Sequence, residues 1–280
     1  MTVAEWLRGA EQSLDESGCP NPAIDARWIA EDFLGLTSSA LRFQSADVLN
    51  AAQLELLNGA LSRRLNGEPV QYILGSADFM GLKFYVDARV LIPRQDTETL
   101  AEAVIVASRH YGAPRVLDLC TGSGAIGLSV KTLCPTAEVT LTDVSAGALD
   151  VAKRNMRLLG VDAALRHGDL FKAVGHEAFD LIASNPPYIV RGELARLQRE
   201  VRHEPEIALD GGEDGFDFYR RIAREADAHL NNGGSVYLET GAGQAEGVLS
   251  LLRENIVCAD FGIINDLNGV GRVAWVRKQA

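Results

Sequence analysis

Asn185-Pro186-Pro187-Tyr188 is the stretch of this 280-residue chain best suited to chemistry. It follows Phe179 to Ser184, which reads as a buried strand. The two prolines fix φ and remove two backbone donors, which leaves their carbonyls as acceptors. Asn185 precedes a proline and is pushed into extended conformation. Its side-chain oxygen and the Pro186 carbonyl can each accept one hydrogen of a planar –NH2 group. Tyr188 offers a flat face for stacking. A nitrogen held this way has its weak lone pair aimed along one line, and holding it near attack distance of an electrophile is worth ~7–11 kcal/mol. Acceptors also stabilise positive charge developing on nitrogen, so no strong general base is required. Asn185, Pro186 and Tyr188 are the candidate catalytic residues. Together with Pro187 they form the candidate substrate-binding segment.

A second stretch reads as a ligand loop. Asp118-Leu119-Cys120-Thr121-Gly122-Ser123-Gly124 follows a buried strand and opens a helix. Glycines allow a sharp turn and close backbone approach to a ligand, and the helix start adds unpaired N–H groups. Asp143 ends the next strand, where a carboxylate can accept both hydroxyls of a ribose. A ligand containing a nucleoside fits. Gly122-Ser123-Gly124-Ala125-Ile126-Gly127 also matches the dinucleotide fingerprint G-x-G-x-x-G, so an NAD-dependent oxidoreductase is one reading. Asp118 at the strand tip is awkward beside a pyrophosphate but suits the cationic end of S-adenosylmethionine, and D-x-x-x-G-x-G is the pattern associated with that cofactor. No G-K-[ST] occurs, which excludes a P-loop.

These two stretches need a framework. From Arg115 onward strand and helix patterns alternate. Strands are expected at 116–119, 138–142, 165–167, 181–184, 235–239, 259–264 and 272–276, and helices at 125–133, 146–159, 216–230 and 244–253. Such alternation implies an α/β fold with a mainly parallel sheet covered on both faces. Before it lie helical patterns: one through Trp6, Leu7, Ala10 and Leu14, one opened by Asn21-Pro22, and one with Leu54, Leu57, Leu61 and Leu65 on one face. The stretch 70–92 is β-branched and aromatic, punctuated by Gly75 and Gly81, and reads as a β-hairpin. The expected division is a helical domain at 1–69, a hairpin linker at 70–92 and a catalytic domain at 93–280.

Composition narrows the function. Hydrophobic residues make up 47% and the net charge is −11, which argues against a chain that holds nucleic acid through phosphates. The four cysteines form no C-x-x-C pair and fit no zinc spacing; the histidines are scattered, and no metal site is expected. The N-terminus lacks a signal-peptide pattern and no apolar run is long enough to span a membrane, so a cytoplasmic location is expected. The helix around Arg220, Arg221, Arg224 and Glu225 reads as a solvated face, while Arg94 is a candidate to line the cofactor pocket.

The whole pattern resembles the protein-(glutamine-N5) methyltransferases that modify peptide chain release factors, the PrmC/HemK type. The resemblance covers nearly the full length. It rests on Gly67-Glu68-Pro69, Tyr72-Ile73-Leu74-Gly75, Leu91-Ile92-Pro93-Arg94, Thr97-Glu98, the glycine loop, Asn185-Pro186-Pro187-Tyr188, Glu204-Pro205 and Ala208-Leu209-Asp210-Gly211-Gly212-Glu213-Asp214-Gly215. It implies a seven-stranded, Rossmann-like class I methyltransferase domain behind a small helical N-terminal domain that helps dock the partner. It implies S-adenosylmethionine bound by Asp118, Cys120, Thr121, Gly122, Ser123, Gly124 and Asp143, with Leu170 near the adenine and Asn185 close by, and S-adenosylhomocysteine as product. The substrate it implies is the glutamine of the Gly-Gly-Gln loop of a class 1 release factor, acted on by a monomer without direct nucleic-acid or membrane contact. A ribosomal-protein glutamine methyltransferase shares the chemistry, and a nucleic-acid adenine-N6 methyltransferase would use the same four residues on an extruded base. Cys120 stands where the family usually has glycine, Gln95 where it has proline, and Thr240 where an apolar residue is commoner. If Cys120 needs positive φ, its side chain costs about 1 kcal/mol.

Overall fold

The computed structural model describes residues 1–280. The chain forms two compact units: Met1–Gly75 with Gln198–His203, and Ser76–Leu197 with Glu204–Ala280.

The first unit is helical. Its elements are α1 (Val3–Glu16), α2 (Pro22–Leu34), α3 (Ser38–Phe43), α4 (Ala51–Leu65) and α5 (Val70–Leu74). Thr2 and Glu5 form a capping box on α1, as do Asn50 and Gln53 on α4; each satisfies backbone donors that the helix leaves unpaired. Gly35 closes α2 in left-handed conformation at φ +66°, where a side chain would be strained. Trp6, Leu14, Ile29 and Leu57 form the core. Beside it Arg64 is buried, with Nε donating to Asp25 Oδ2 at 2.6 Å and Nη2 to Glu200 Oε1 at 2.8 Å. Glu200 lies in Gln198–His203, so this ion pair ties that distant segment into the helical unit.

Two features differ from expectation. Residues 70–74 are helical, because Pro69 starts a turn and Val70 and Ile73, three apart, bury together in the core. β-branched and aromatic content had suggested strand there. The hairpin is confined to β1 (Ser76–Phe79) and β2 (Leu82–Tyr85), and Met80 and Gly81 both take positive φ (+52° and +72°), as a tight two-residue hairpin turn requires. Helix α3, capped by Thr37, is too short to show a period.

The second unit continues with α6 (Gln95–Ser108), β3 (Arg115–Leu119), α7 (Ala125–Leu133), β4 (Glu138–Asp143), α8 (Ala146–Leu159), β5 (Ala164–His167), β6 (Phe179–Ser184), α9 (Asp217–Ala226), β7 (Leu230–Glu239), α10 (Ala245–Asn255), β8 (Cys258–Asn265) and β9 (Gly271–Lys278). Seven strands form one sheet in the order β5-β4-β3-β6-β7-β9-β8. The pairs from β5 to β7 are parallel, and β9 is antiparallel to both neighbours. Both faces are covered. Leu117, Leu119 and Ile182 pack under α9 and α10, while Val116, Leu181 and Ala183 pack under α6 and α7. Double coverage explains why β3 and β6 read as nearly continuous apolar runs.

Strand order reverses between β3 and β6, since the chain leaves β3 for β4 on one side and returns to β6 on the other. Open α/β sheets bind ligands at that switch point, beyond the carboxyl ends of the strands. Leu119 and Ser184 are paired at the ends of β3 and β6, and the Ser184 hydroxyl donates to the Leu119 carbonyl at 2.8 Å. The glycine loop and Asn185 therefore emerge side by side.

Candidate active site

The loop after β3 is held by its neighbours. Thr121 N donates to Thr142 O at 2.9 Å and Gly124 N to Thr121 O at 2.8 Å. Cys120, Gly122 and Gly124 have φ of +57°, +55° and +83°. A Cβ at Gly122 would meet nothing within 4 Å, whereas one at Gly127 would fall 2.2 Å from Leu141 Cδ2. Gly122 thus leaves space over the loop, and Gly127 lets α7 sit against the sheet. Cys120 pays the left-handed cost, and burial pushes its thiol up to about 12, so it is no nucleophile at neutral pH. Leu170, at φ +49°, is a second strained side chain. Both line the same cavity, and such strain concentrates at ligand sites.

That cavity has a volume of about 290 Å³. It is lined by Cys120, Thr121, Gly122, Ser123, Asp143, Leu170, Asn185 and Pro187. Asp143 ends β4 with both carboxylate oxygens anchored: Oδ2 accepts from Gly122 N at 2.9 Å and Oδ1 from Ser145 N at 2.8 Å. Each oxygen keeps a lone pair for a ligand hydroxyl. Burial raises the Asp143 carboxyl above its usual range against the pull of these N–H groups.

Four expected residues do not line the cavity. Asp118 is fully buried, beneath the loop. Its Oδ2 accepts from the Thr121 hydroxyl at 2.6 Å and from Gly127 N at 3.0 Å. Side chains alternate along a strand, so Asp118 shares the face of Val116, under α7. Burial raises its carboxyl to about 7; it shapes the loop and is no assured anion for a cationic ligand. Gly124 is the N-cap of α7, and a Cβ there would meet Leu128 Cδ1 at 2.8 Å. Pro186 is buried. Tyr188 is half-buried against the core, and burial holds its phenol well above the ordinary range.

The surroundings of Tyr188 explain the glycine-rich segment that follows. A Cβ at Gly211 would come 2.6 Å from Tyr188 Cα, one at Gly215 2.5 Å from Tyr188 O, and one at Gly241 3.1 Å from Tyr188 Cδ2. Ile189 N donates to Leu209 O at 3.0 Å and Gly211 N to Ile189 O at 2.8 Å. Residues 209–215 clamp the strand end. Within it, Asn185 Nδ2 donates to Thr97 Oγ1 at 3.2 Å. With the nitrogen engaged, Oδ1 is the amide atom left to accept a hydrogen.

Arg94 does not line the cavity. It pairs with Glu204, whose Oε2 accepts from Ile92 N at 3.1 Å. Arg221 does line it, contrary to the expectation of a solvated helix face, and reaches Asp169 Oδ1 at 2.5 Å. That ion pair holds the Asp169 carboxyl below its usual range. Phe218, Ile207 and Val144 add apolar wall. Asp169 follows the end of edge strand β5, at the carboxyl ends of the parallel strands where such sheets place ligands; Phe218 and Arg221 carried no sequence signal beyond an amphipathic helix.

Comparison with known proteins agrees with this geometry. A family model for the PrmC N-terminal domain matches residues 5–75, and one for the methyltransferase small domain matches residues 96–213. A release factor glutamine methyltransferase from Geobacter sulfurreducens is 42% identical over 98% of this chain and 95% of its own length. One from Bordetella pertussis is 43% identical over 90% of this chain and 94% of its own. The chain belongs to the release factor glutamine methyltransferase family. It is an S-adenosylmethionine-dependent methyltransferase. Solved structures share the fold: a methyltransferase from Pyrococcus furiosus (TM-score 0.54, 19% identity, covering 80% of this chain and 100% of that one) and the T. thermophilus 16S rRNA N2 G1207 methyltransferase in complex with AdoMet and guanosine (TM-score 0.54, 21% identity, covering 73% and 50%). The residues present fit the cofactor. The space over Gly122 admits close approach, Asp143 has spare acceptors at the strand end, and Leu170, Ile207 and Phe218 offer apolar walls.

Proposed function

We propose that this enzyme methylates the side-chain amide nitrogen (N5) of the glutamine in the Gly-Gly-Gln loop of a class 1 peptide chain release factor. The observation that carries the reading is the Asn185 carboxamide, tethered through its nitrogen to Thr97 at the sheet's switch point, on the same cavity as the glycine loop. Asn185 Oδ1 and the Pro186 carbonyl accept the two hydrogens of the glutamine amide and fix its plane. Pro187 and Tyr188 keep that segment rigid, with Tyr188 locked among Gly211, Gly215 and Gly241. Asp143 accepts from ribose hydroxyls of the donor, the Cys120–Gly124 turn lies along its polar end, and Leu170 packs on its base. Bound S-adenosylmethionine supplies a methyl group on a sulfonium, an electrophile that leaves as a neutral thioether. The protein's part is to orient the amide nitrogen and to meet its growing positive charge with acceptors. No strong base stands ready, since burial keeps both the Cys120 thiol and the Tyr188 phenol protonated.

The net charge of −11 favours a protein substrate over nucleic acid. No helix is long and apolar enough to cross a membrane. The reading is of a monomeric enzyme that meets its release factor in the cytoplasm. The test is a competition. Methyl-labelled donor is offered together with a purified class 1 release factor, a ribosomal protein carrying a methylatable glutamine, and RNA. Label in the release factor is expected. Label in RNA or the ribosomal protein alone overturns the reading.

A further inference from the structure

We propose that Glu239 is a positioning residue for the reaction: acting through the Thr97 hydroxyl, its carboxylate fixes which way round the Asn185 carboxamide stands. The inference rests on the glutamine-amide reading above. Glu239 is the last residue of β7, whose Leu238 is paired with Ser184 of β6, so Glu239 and Asn185 leave adjacent strands together. Glu239 is 2% exposed and Thr97, in the first turn of α6, is 4% exposed. The Thr97 and Tyr188 hydroxyls face the Glu239 carboxyl and favour its charged form, and Asn185 Nδ2 donates to Thr97 Oγ1 at 3.2 Å. Oε2 of Glu239 is buried without a hydrogen-bond partner, a costly arrangement for a group with no function.

Hydrogen count gives the chain a direction. A carboxylate only accepts, and Thr97 has one hydroxyl hydrogen. When that hydrogen goes to Glu239, the Thr97 oxygen is left to accept, and it selects the NH2 end of Asn185. The Oδ1 end is then presented to the substrate amide. A protonated Glu239, or a glutamine in its place, can donate to Thr97 instead. Thr97 is then free to donate to Asn185 Oδ1, which turns the NH2 end toward the substrate and sets N–H against N–H.

The groups facing Glu239 make its charge sensitive to pH. Asp96 from α6 disfavours it. Arg272 from β9, itself paired with Asp96 and Asp266, favours it, as do the Thr97 and Tyr188 hydroxyls. Burial outweighs these and raises the carboxyl to about 7. Activity should therefore fall on the acid side of neutrality as the carboxylate is lost.

The test uses the full-length enzyme with a release factor, and its second readout does not depend on turnover. Glu239→Gln should lower kcat about 10²-fold and flatten the acid limb of the kcat profile, while S-adenosylhomocysteine affinity changes less than about threefold. Thr97→Val should behave likewise. Thr97→Ser, which keeps the hydroxyl, should restore the rate to within about threefold of wild type. By NMR, the Asn185 side-chain 15NH2 resonance should titrate with the Glu239 carboxyl carbon in wild type and stop moving in Glu239→Gln. A wild-type enzyme that leaves the release factor unmethylated overturns the substrate reading, while the NMR coupling still tests the relay. A Glu239→Gln enzyme with wild-type kcat and acid limb, or an Asn185 resonance indifferent to Glu239, overturns the positioning role.

Discussion

Replacing Asn185 with alanine separates substrate orientation from donor binding. The variant loses Oδ1, one of the two acceptors assigned to the glutamine amide, and leaves Thr97 Oγ1 without the Nδ2 donor now 3.2 Å away. Removing one preorganised hydrogen-bonding group from a site of developing charge costs about 10²–10³ in kcat, or roughly 3–4 kcal/mol. The Pro186 carbonyl remains, which keeps the expected loss at that level rather than at complete inactivity. Donor binding should barely respond. The groups assigned to the donor are the glycine-loop backbone and Asp143, which is anchored by Gly122 N and Ser145 N and makes no bond to Asn185. Loss of one neutral hydrogen bond to Thr97 should lower stability by about 1 kcal/mol. The assay is single-turnover methyl transfer at saturating donor, with calorimetric titration of S-adenosylhomocysteine on the same preparation. A kcat at least 10²-fold lower, with donor Kd within about threefold, supports the assignment. Donor Kd weakened by the full factor, with saturated turnover intact, would refute it.

Other sites give complementary results. Asp143→Ala should show the reverse split: two charge-assisted hydrogen bonds to ribose are lost at about 1.5–3 kcal/mol each, so S-adenosylhomocysteine binding weakens by about 10²-fold or more while saturated turnover survives; calorimetry with unchanged Kd would contradict it. Cys120→Gly relieves a side chain at φ +57°, worth about 1 kcal/mol, but adds similar unfolded-chain entropy. Its thermal stability should match wild type, and a loss beyond about 2 kcal/mol would show that thiol packing outweighs backbone strain. Asp118 is raised to about 7 in the fold, so the folded state binds its proton more readily than the unfolded chain. Its stabilising contribution is complete below the unfolded value near 4 and is lost as pH rises through 7, by up to ~4 kcal/mol. Urea unfolding of Asp118→Asn should lack this slope, and an unchanged slope would place the titration elsewhere.

The sequence is most explicit where chain direction alone fixes geometry. Helix α8 carries an amphipathic period and clear caps, Ser145 at its start and Gly160 at its end. The glycine loop and Asn185-Pro186-Pro187-Tyr188 each follow an apolar run, and the switch-point rule then brings them together. What could not be read depends on face and on distant contacts. Asp118 has the position of a ligand-facing acid, but strand alternation turns it under α7, and only the sheet shows which face that is. Arg221 looks like any residue of a charged helix until Asp169, far away in sequence, is found beside it. The Gln198–His203 segment shows no local preference and joins the helical unit through Glu200 and Arg64. The hairpin expectation failed over Val70–Leu74 because β-branched residues also serve a short buried helix when packing favours it.

The central claim is that a release-factor glutamine amide is the methyl acceptor. Peptide mapping by mass spectrometry of a class 1 release factor after incubation with enzyme and S-adenosylmethionine tests it most directly. One added methyl group on the glutamine of the Gly-Gly-Gln tripeptide, absent when the enzyme carries Asn185→Ala, is the expected result. An unmodified glutamine after incubation with folded, donor-binding enzyme, or a methyl group on another residue, would contradict it.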